Sequence, residues 1–174
     1  MSAREQASKV RLMAFDVDGV MTDGTIYYTD EGVELKGFNA LDGAGMKMLE
    51  RAGIVVAIIT GRKARCVELR AQNLGIARLH QGIHDKAACM QAMLDELGLA
   101  PENAGYMGDD VMDLPLMAMS GFSAAPADAH PSAQQQATLV TKKGGGRGAV
   151  RETCDFILAA QGKLDAAVAP WLPQ

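Results

Sequence analysis

The apolar run from Leu12 to Phe15 stops abruptly at two carboxylates, Asp16 and Asp18, and no other stretch constrains the chain as much. Such a run predicts a buried strand that delivers both acids to the C-terminal edge of a sheet, the edge at which open α/β folds bind their ligands. A second run, Ile54 to Ile59, is apolar without interruption, as expected of a strand covered on both faces in a parallel sheet, and it ends in Thr60-Gly61-Arg62. A third candidate, Ala104 to Met107, ends in Gly108-Asp109-Asp110, with Asp113 a little further on.

Between these strands the spacing predicts helices. Asp42-Gly43 precedes one, which passes through Met46 and Leu49 and stops at Gly53. Another carries Ala64, Val67, Ala71 and Leu74 on one face and closes at Gly75. A third, from Ala87 to Leu97 and ended by Gly98, groups Met90, Met93, Leu94 and Leu97, and its methionines read as core filler. A last helix, from Ala149 to about Gln161, groups Val150, Cys154, Ile157 and Leu158. Residues 76–80, 122–124 and 138–140 are weaker strand candidates. The alternation predicts an α/β fold, a doubly wound and mainly parallel sheet in one domain, residues 1–174, with all strand C-termini on one edge.

Residues 25–36 are two short β-prone runs around Thr29-Asp30-Glu31-Gly32 and predict a hairpin beside the acids, either a flap or an edge for self-association. Tyr27 and Tyr28 in it read as interface packing. The other loops are too short for a cap domain. Residues 144–174 comprise a glycine-rich segment, a helix and a tail. By residue type alone, Gly144 to Gly148 reads equally well as a flexible linker or a functional loop, and Pro170 to Pro173 as mobile or packed on a neighbour.

A net charge of −4 gives no electrostatic footprint for nucleic acid. Cys66, Cys89 and Cys154 are odd in number, lack CxxC spacing and read as buried thiols. The polar start, Met1 to Lys9, and apolar runs too short to cross a bilayer predict a cytoplasmic protein with no membrane partner.

Asp16, Asp18, Thr60, Lys86 and Asp109 all lie at predicted strand ends or in loops on one edge, so they can converge. Three carboxylates that close repel one another unless protonated or neutralised by a cation, and a hard divalent ion such as Mg²⁺ fits an all-oxygen donor set. His80, His84 and His130 lack zinc-ligand spacing and read as surface or hydrogen-bonded histidines. Lys86 and the Thr60 hydroxyl suit phosphoryl oxygens. An aspartate can act as nucleophile through an acyl-phosphate, and an acid two residues on can protonate a leaving alkoxide and then activate water. Two classes stay open on these residues, a phosphatase and a receiver-type module that holds its phosphoryl group and switches a partner.

With this order of motifs, Asp16-Val17-Asp18-Gly19, Thr60, Lys86 and Gly108-Asp109-Asp110 with Asp113, the chain resembles the haloacid dehalogenase superfamily over essentially its whole length. The resemblance implies Asp16 as nucleophile and Asp18 as acid/base. It implies Mg²⁺ held by Asp16, the Asp18 carbonyl and Asp109, with Asp110 and Asp113 supporting, and phosphate bound by Thr60, Gly61 and Lys86. Asp18 to Gly24, Phe38-Asn39, Asp42-Gly43, Thr60-Gly61-Arg62, Asp85-Lys86 and Gly144 to Glu152 are most similar to the capless, homotetrameric branch acting on sugar-acid phosphates. That branch implies active sites at subunit interfaces, a hairpin that builds the tetramer, and a glycine-rich segment able to close over a neighbour's site. It further implies substrate contacts from Arg62, Thr22, Asn39 and Arg147, and a role in lipopolysaccharide inner-core synthesis. Arg62 stands where nonulosonate 9-phosphate phosphatases usually carry Glu, which favours 3-deoxy-D-manno-octulosonate 8-phosphate. Leu41 stands where many members carry Arg.

Overall fold

Every residue of the first strand is buried, and its alternation decides the layers: Met13 and Phe15 face one core, Leu12 and Ala14 the other. The computed structural model describes residues 1–172. Along the chain run α1 (Ala3–Ser8), β1 (Leu12–Phe15), β2 (Tyr27–Tyr28), β3 (Glu34–Leu35), α2 (Ala40–Arg51), β4 (Val55–Thr60), α3 (Arg65–Leu74) and β5 (Arg78–Gln81). There follow α4 (Lys86–Leu97), β6 (Ala104–Met107), α5 (Leu114–Met119), β7 (Phe122–Ala125), α6 (Pro131–Gln136), β8 (Leu139–Val140), α7 (Ala149–Ala160) and α8 (Leu164–Val168). A six-stranded sheet has the order β5-β4-β1-β6-β7-β8, parallel throughout, and β2-β3 form a separate antiparallel hairpin.

Helices cover both faces, which is why the central strands read as unbroken apolar runs. Against Met13, Phe15, Val56 and Ile58 pack Met46 and Leu49 of α2, Val67 and Ala71 of α3, and Ile157 and Leu158 of α7. Against Leu12, Ala14, Ala57 and Ile59 pack Met90, Met93 and Leu94 of α4 and Leu116 and Met117 of α5. Chain order reverses beside β1, between β4 and β6, so the first strand's acids emerge at the switch point of the sheet.

Differences from the sequence reading have local causes. The strand expected at 76–80 begins at Arg78, because the Ile76 N–H donates to the Ala71 carbonyl as part of the left-handed helix exit at Gly75. The helices α1, α5, α6 and α8 have six residues or fewer, too short for the apolar period to register. Of the three free thiols Cys154 is buried, whereas Cys66 and Cys89 are only partly so. At the chain end the Arg51 guanidinium lies over the Trp171 ring, 5.2 Å from its centroid, and Pro173 is outside the described residues.

The glycine-rich segment is not a linker. The Gly146 N–H donates to the Val20 carbonyl (2.9 Å), the Gly145 N–H donates to the Asp128 carboxylate (2.9 Å), and the Asn39 amide donates to the Gly146 carbonyl (3.3 Å). A Cβ on Gly145 would collide with the Gly19 carbonyl. The Asp42 carboxylate accepts from the Gly148 and Arg151 N–H groups (3.4 and 2.9 Å), which ties the start of α7 to α2. The segment therefore braces the loop that carries Asp16 and Asp18.

Candidate active site

The Asp16 N–H makes the last bond of its strand, to the Met107 carbonyl (3.0 Å), and from there the backbone leaves the sheet. Thr60 ends β4, Lys86 opens α4 behind the cap Asp85, and Asp109 and Asp110 follow β6. Asp16, Thr60, Lys86, Asp109 and Asp110 line one cavity of 390 Å³ together with Asp18, Gly19, Gly24, Gly61, Arg62, His84, Met112 and Asp113.

At its floor the Lys86 ammonium donates to the Asp16 and Asp113 carboxylates, both at 2.6 Å, and to the Tyr106 hydroxyl at 3.2 Å. Tyr106 donates in turn to Asp113 (2.7 Å). Burial works against the Lys86 charge, but Asp16 and Asp113 outweigh it and raise its pKa. The other Asp113 oxygen accepts from the Asp109 and Asp110 N–H groups (2.9 and 3.2 Å), so this buried carboxylate is saturated and shapes the turn. Asp110 caps that turn by accepting from the Val111 N–H (2.7 Å).

Asp16, Asp109 and Asp113 each offer a carboxylate oxygen within 4.8 Å of the others. Burial raises Asp16 to about 6 and Asp109 to about 7, and the neighbouring carboxylates add to the shift. The Asp109 carboxylate accepts no hydrogen bond from the described residues, and Gly19 approaches it so closely that a Cβ there would collide with it. Crowded hard oxygens of this kind fit a divalent cation such as Mg²⁺, with Asp109 unengaged and Asp16 accepting one bond on each oxygen, from the Val17 N–H (2.7 Å) and from Lys86 (2.6 Å), so that both keep lone pairs for an ion.

A pH dependence follows. Asp16 and Asp109 are proton-loaded in the folded protein up to about pH 6 and 7, well above the ordinary value of 3.8 at which they ionise once unfolded. The folded state therefore holds more protons across that window, and stability falls as pH rises through it. The metal-free protein is expected to melt lower at pH 8 than at pH 5.5, and Mg²⁺ to raise the melting temperature more at pH 8. Equal Mg²⁺ shifts at both pH values in a calorimeter would contradict this.

Asp18 points elsewhere. Its carboxylate is ion-paired with Lys36 and lies 3.7 Å from the Arg62 Nε. Lys36, whose side chain is almost fully buried, also reaches Glu34 (2.6 Å), and Arg62 Nη2 donates to Glu34 (2.8 Å) and to the Tyr28 hydroxyl (2.9 Å). The hairpin thus sets Tyr28, Glu34 and Lys36 against Asp18 and Arg62 of the cavity lining, a placement that the sequence does not assign to any of them. Their one signal is the period of two that puts Glu34 and Lys36 on one side of the strand. The sequence likewise marks Tyr106 only as a strand residue and His84 as a surface or hydrogen-bonded histidine, whereas Tyr106 bonds Asp113 and His84 lines the cavity.

Three residues expected at the substrate do not line the cavity. The Thr22 hydroxyl accepts from the Gly19 and Gly24 N–H groups (3.4 and 3.2 Å) and staples the loop. Asn39 caps α2 by accepting from the Leu41 N–H (2.8 Å). Arg147 lies exposed, 3.6 Å from Asp23. Leu41 is exposed on α2 and does not line the cavity either.

Residues 79–151 match the family model of haloacid dehalogenase-like hydrolases. The chain is 51% identical over 162 residues to 3-deoxy-D-manno-octulosonate 8-phosphate phosphatase KdsC of Escherichia coli K12, covering 93% of this chain and 86% of that protein. Its fold is similar to the crystal structure of that phosphatase from Yersinia pestis, with a TM-score of 0.92 and 50% identity over 94% of this chain and 88% of the other. The Moraxella catarrhalis phosphatase, solved in complex with magnesium, phosphate and KDO, superposes with a TM-score of 0.95 and 38% identity over 98% of both chains. With half of its residues shared along nearly the whole length and the same overall fold, the chain belongs to the 3-deoxy-D-manno-octulosonate 8-phosphate phosphatase family of haloacid dehalogenase-like hydrolases.

Proposed function

We propose that this protein hydrolyses 3-deoxy-D-manno-octulosonate 8-phosphate to the free sugar acid and phosphate with Mg²⁺ as cofactor. The observation that carries the reading is the buried Lys86 ammonium at 2.6 Å from Asp16, at the floor of a cavity whose mouth holds Arg62. An ionised carboxylate is thereby held ready as nucleophile at one end, and a guanidinium fork suited to a carboxylate stands at the other.

An Asp16 oxygen attacks phosphorus, a new O–P bond forms, and the ester P–O bond breaks. Asp18, entering this step as the carboxylic acid, gives its proton to the departing sugar oxygen and is left as the carboxylate. Asp18 then takes a proton from water, whose oxygen attacks the acyl-phosphate and restores the Asp16 carboxylate. The Thr60 hydroxyl and the Gly61 N–H hold phosphoryl oxygens, and Lys86, whose three hydrogens go to Asp16, Asp113 and Tyr106, supplies positive charge beside them. Asp16, Asp109 and the Asp18 carbonyl would hold Mg²⁺, with Asp110 and Asp113 behind them. When bound, the ion supplies positive charge that offsets repulsion between the phosphate and the carboxylates. In this role Asp18 distinguishes a phosphatase from a receiver-type module, which must keep its acyl-phosphate.

Further parts of the reading concern the assembly and the setting. The exposed hairpin residues Tyr27, Val33 and Leu35 suit a homotetramer with sites at subunit interfaces. A single-chain mass in solution would remove that part. No described helix is long and apolar enough to cross a membrane, which is compatible with a cytoplasmic step in lipopolysaccharide synthesis.

The test is phosphate release from 3-deoxy-D-manno-octulosonate 8-phosphate, a nonulosonate 9-phosphate and a hexose phosphate, with Mg²⁺ and after chelation. Strong, Mg²⁺-dependent preference for the first is expected. Equal rates on all three would discard the substrate, and no release from any would discard the chemistry.

A further inference from the structure

Two cations and two carboxylates of this chain form a closed quartet at the cavity mouth. Lys36 pairs with Asp18 and Glu34, and Arg62 pairs with Glu34 at 2.8 Å and faces Asp18 at 3.7 Å. With Asp18 ionised and paired with Lys36 the quartet is neutral, so in that form it offers no net charge to an arriving anion. The guanidinium geometry sharpens this point. A carboxylate can bind an arginine through two parallel N–H bonds either at Nε with Nη2 or at Nη1 with Nη2, and both forks require Nη2. Both hydrogens of that nitrogen are already committed, one to Glu34 and one to the Tyr28 hydroxyl at 2.9 Å. No second carboxylate can take either fork while both partners stay.

We propose that Glu34 is an internal competitor for Arg62, a carboxylate built into the hairpin that the substrate's own carboxylate must displace and that returns to expel the sugar-acid product. This rests on the proposed substrate and deepens it by naming what sets affinity for the sugar acid. The argument is one of exchange. A substrate also held through its phosphate can displace Glu34, since the phosphate adds binding energy of its own at Lys86 and Thr60. Once phosphate is cleaved, the sugar acid competes for Arg62 with its carboxylate alone, against a residue tethered at the site. Lys36 keeps Glu34 close throughout, because its ammonium holds the other oxygen of that carboxylate at 2.6 Å. Arg62 thereby discriminates for a carboxylate without retaining it.

The experiment uses the full chain and its Glu34→Gln variant with Mg²⁺ present. Removing the charge leaves the quartet with one excess cation, and free 3-deoxy-D-manno-octulosonate is expected to bind about tenfold more tightly by titration calorimetry, the scale of one favourable rim charge. The kcat/KM ratio for the octulosonate ester over p-nitrophenyl phosphate should rise by a similar factor, with kcat on the ester falling where product release limits it. Glu34→Asp, which keeps the charge, should return product affinity toward that of the parent. Tyr28→Phe frees the other Nη2 hydrogen and should tighten product binding about two- to threefold, which keeps the idea testable if Glu34→Gln does not fold. Product that binds the variants no more tightly than the parent would overturn the proposal while leaving the phosphatase reading intact. A parent enzyme that neither binds octulosonate nor releases phosphate from its ester would overturn both.

Discussion

Asp16→Asn is expected to lower phosphate release by a factor on the order of 10⁴ or more, the scale at which covalent enzymes lose their nucleophile, and yet to leave a protein at least as stable as the parent. Asn keeps the shape of Asp but cannot form the acyl-phosphate. It also removes a carboxylate that burial has pushed up to about 6, so the folded chain no longer has to hold that charge at neutral pH. Lys86 keeps its other acceptor, Asp113, at 2.6 Å. The measurement pairs turnover with a melting temperature at pH 8 in metal-free buffer. Parental turnover in a preparation free of contaminating phosphatase would refute the mechanism, and a lower melting temperature would refute the electrostatic account of the site.

Lys86→Met is expected to fail in both respects. The ammonium is the cation that holds together Asp16, Asp113 and Tyr106 in a pocket where Lys86 itself is 7% exposed. Its loss leaves like charges facing one another without a counter-ion, and breaking a buried pair from one side costs about 3–5 kcal/mol. The carboxylates would shift further towards their protonated forms, so Asp16 would be a poorer nucleophile, and turnover should fall at least about a thousandfold, as when a fixed electrostatic donor is removed from a site. Mg²⁺ should recover part of the stability and little of the turnover, because it can offset the repulsion without standing where the ammonium touches both Asp16 and Asp113. Denaturant titrations with and without Mg²⁺ read the first effect. A variant as stable as the parent without metal would show that the carboxylates do not depend on Lys86.

Much of the scaffold was legible because burial on both faces writes itself plainly into sequence. β1 and β4 carry unbroken apolar runs that end directly in Asp16 and Thr60, and β6, a small and aromatic run, is followed by Gly108-Asp109, which together place Asp16, Thr60 and Asp109 on a common edge. The glycine-rich segment was illegible for the opposite reason. Glycines at Gly145 and Gly146 reflect close approach to Gly19 and Thr22, residues more than a hundred positions earlier, and a local window cannot distinguish that need from flexibility. Thr22 and Asn39 carried the right residue types for substrate contacts, but short polar side chains serve turns and caps equally well, and here they are spent on the backbone.

By itself the sequence determined the class of fold, the edge on which the chemistry gathers and the donor types present there, since hydrophobic period and strand-end chemistry are local properties of the chain. Only the tertiary structure decided which of those groups touch. Lys36 lies on Asp18, Glu34 occupies Arg62, and Tyr106 closes the network of Lys86 and Asp113. Those pairings depend on where a hairpin folds back and on how strands distant in the chain align. No residue's immediate neighbours encode either.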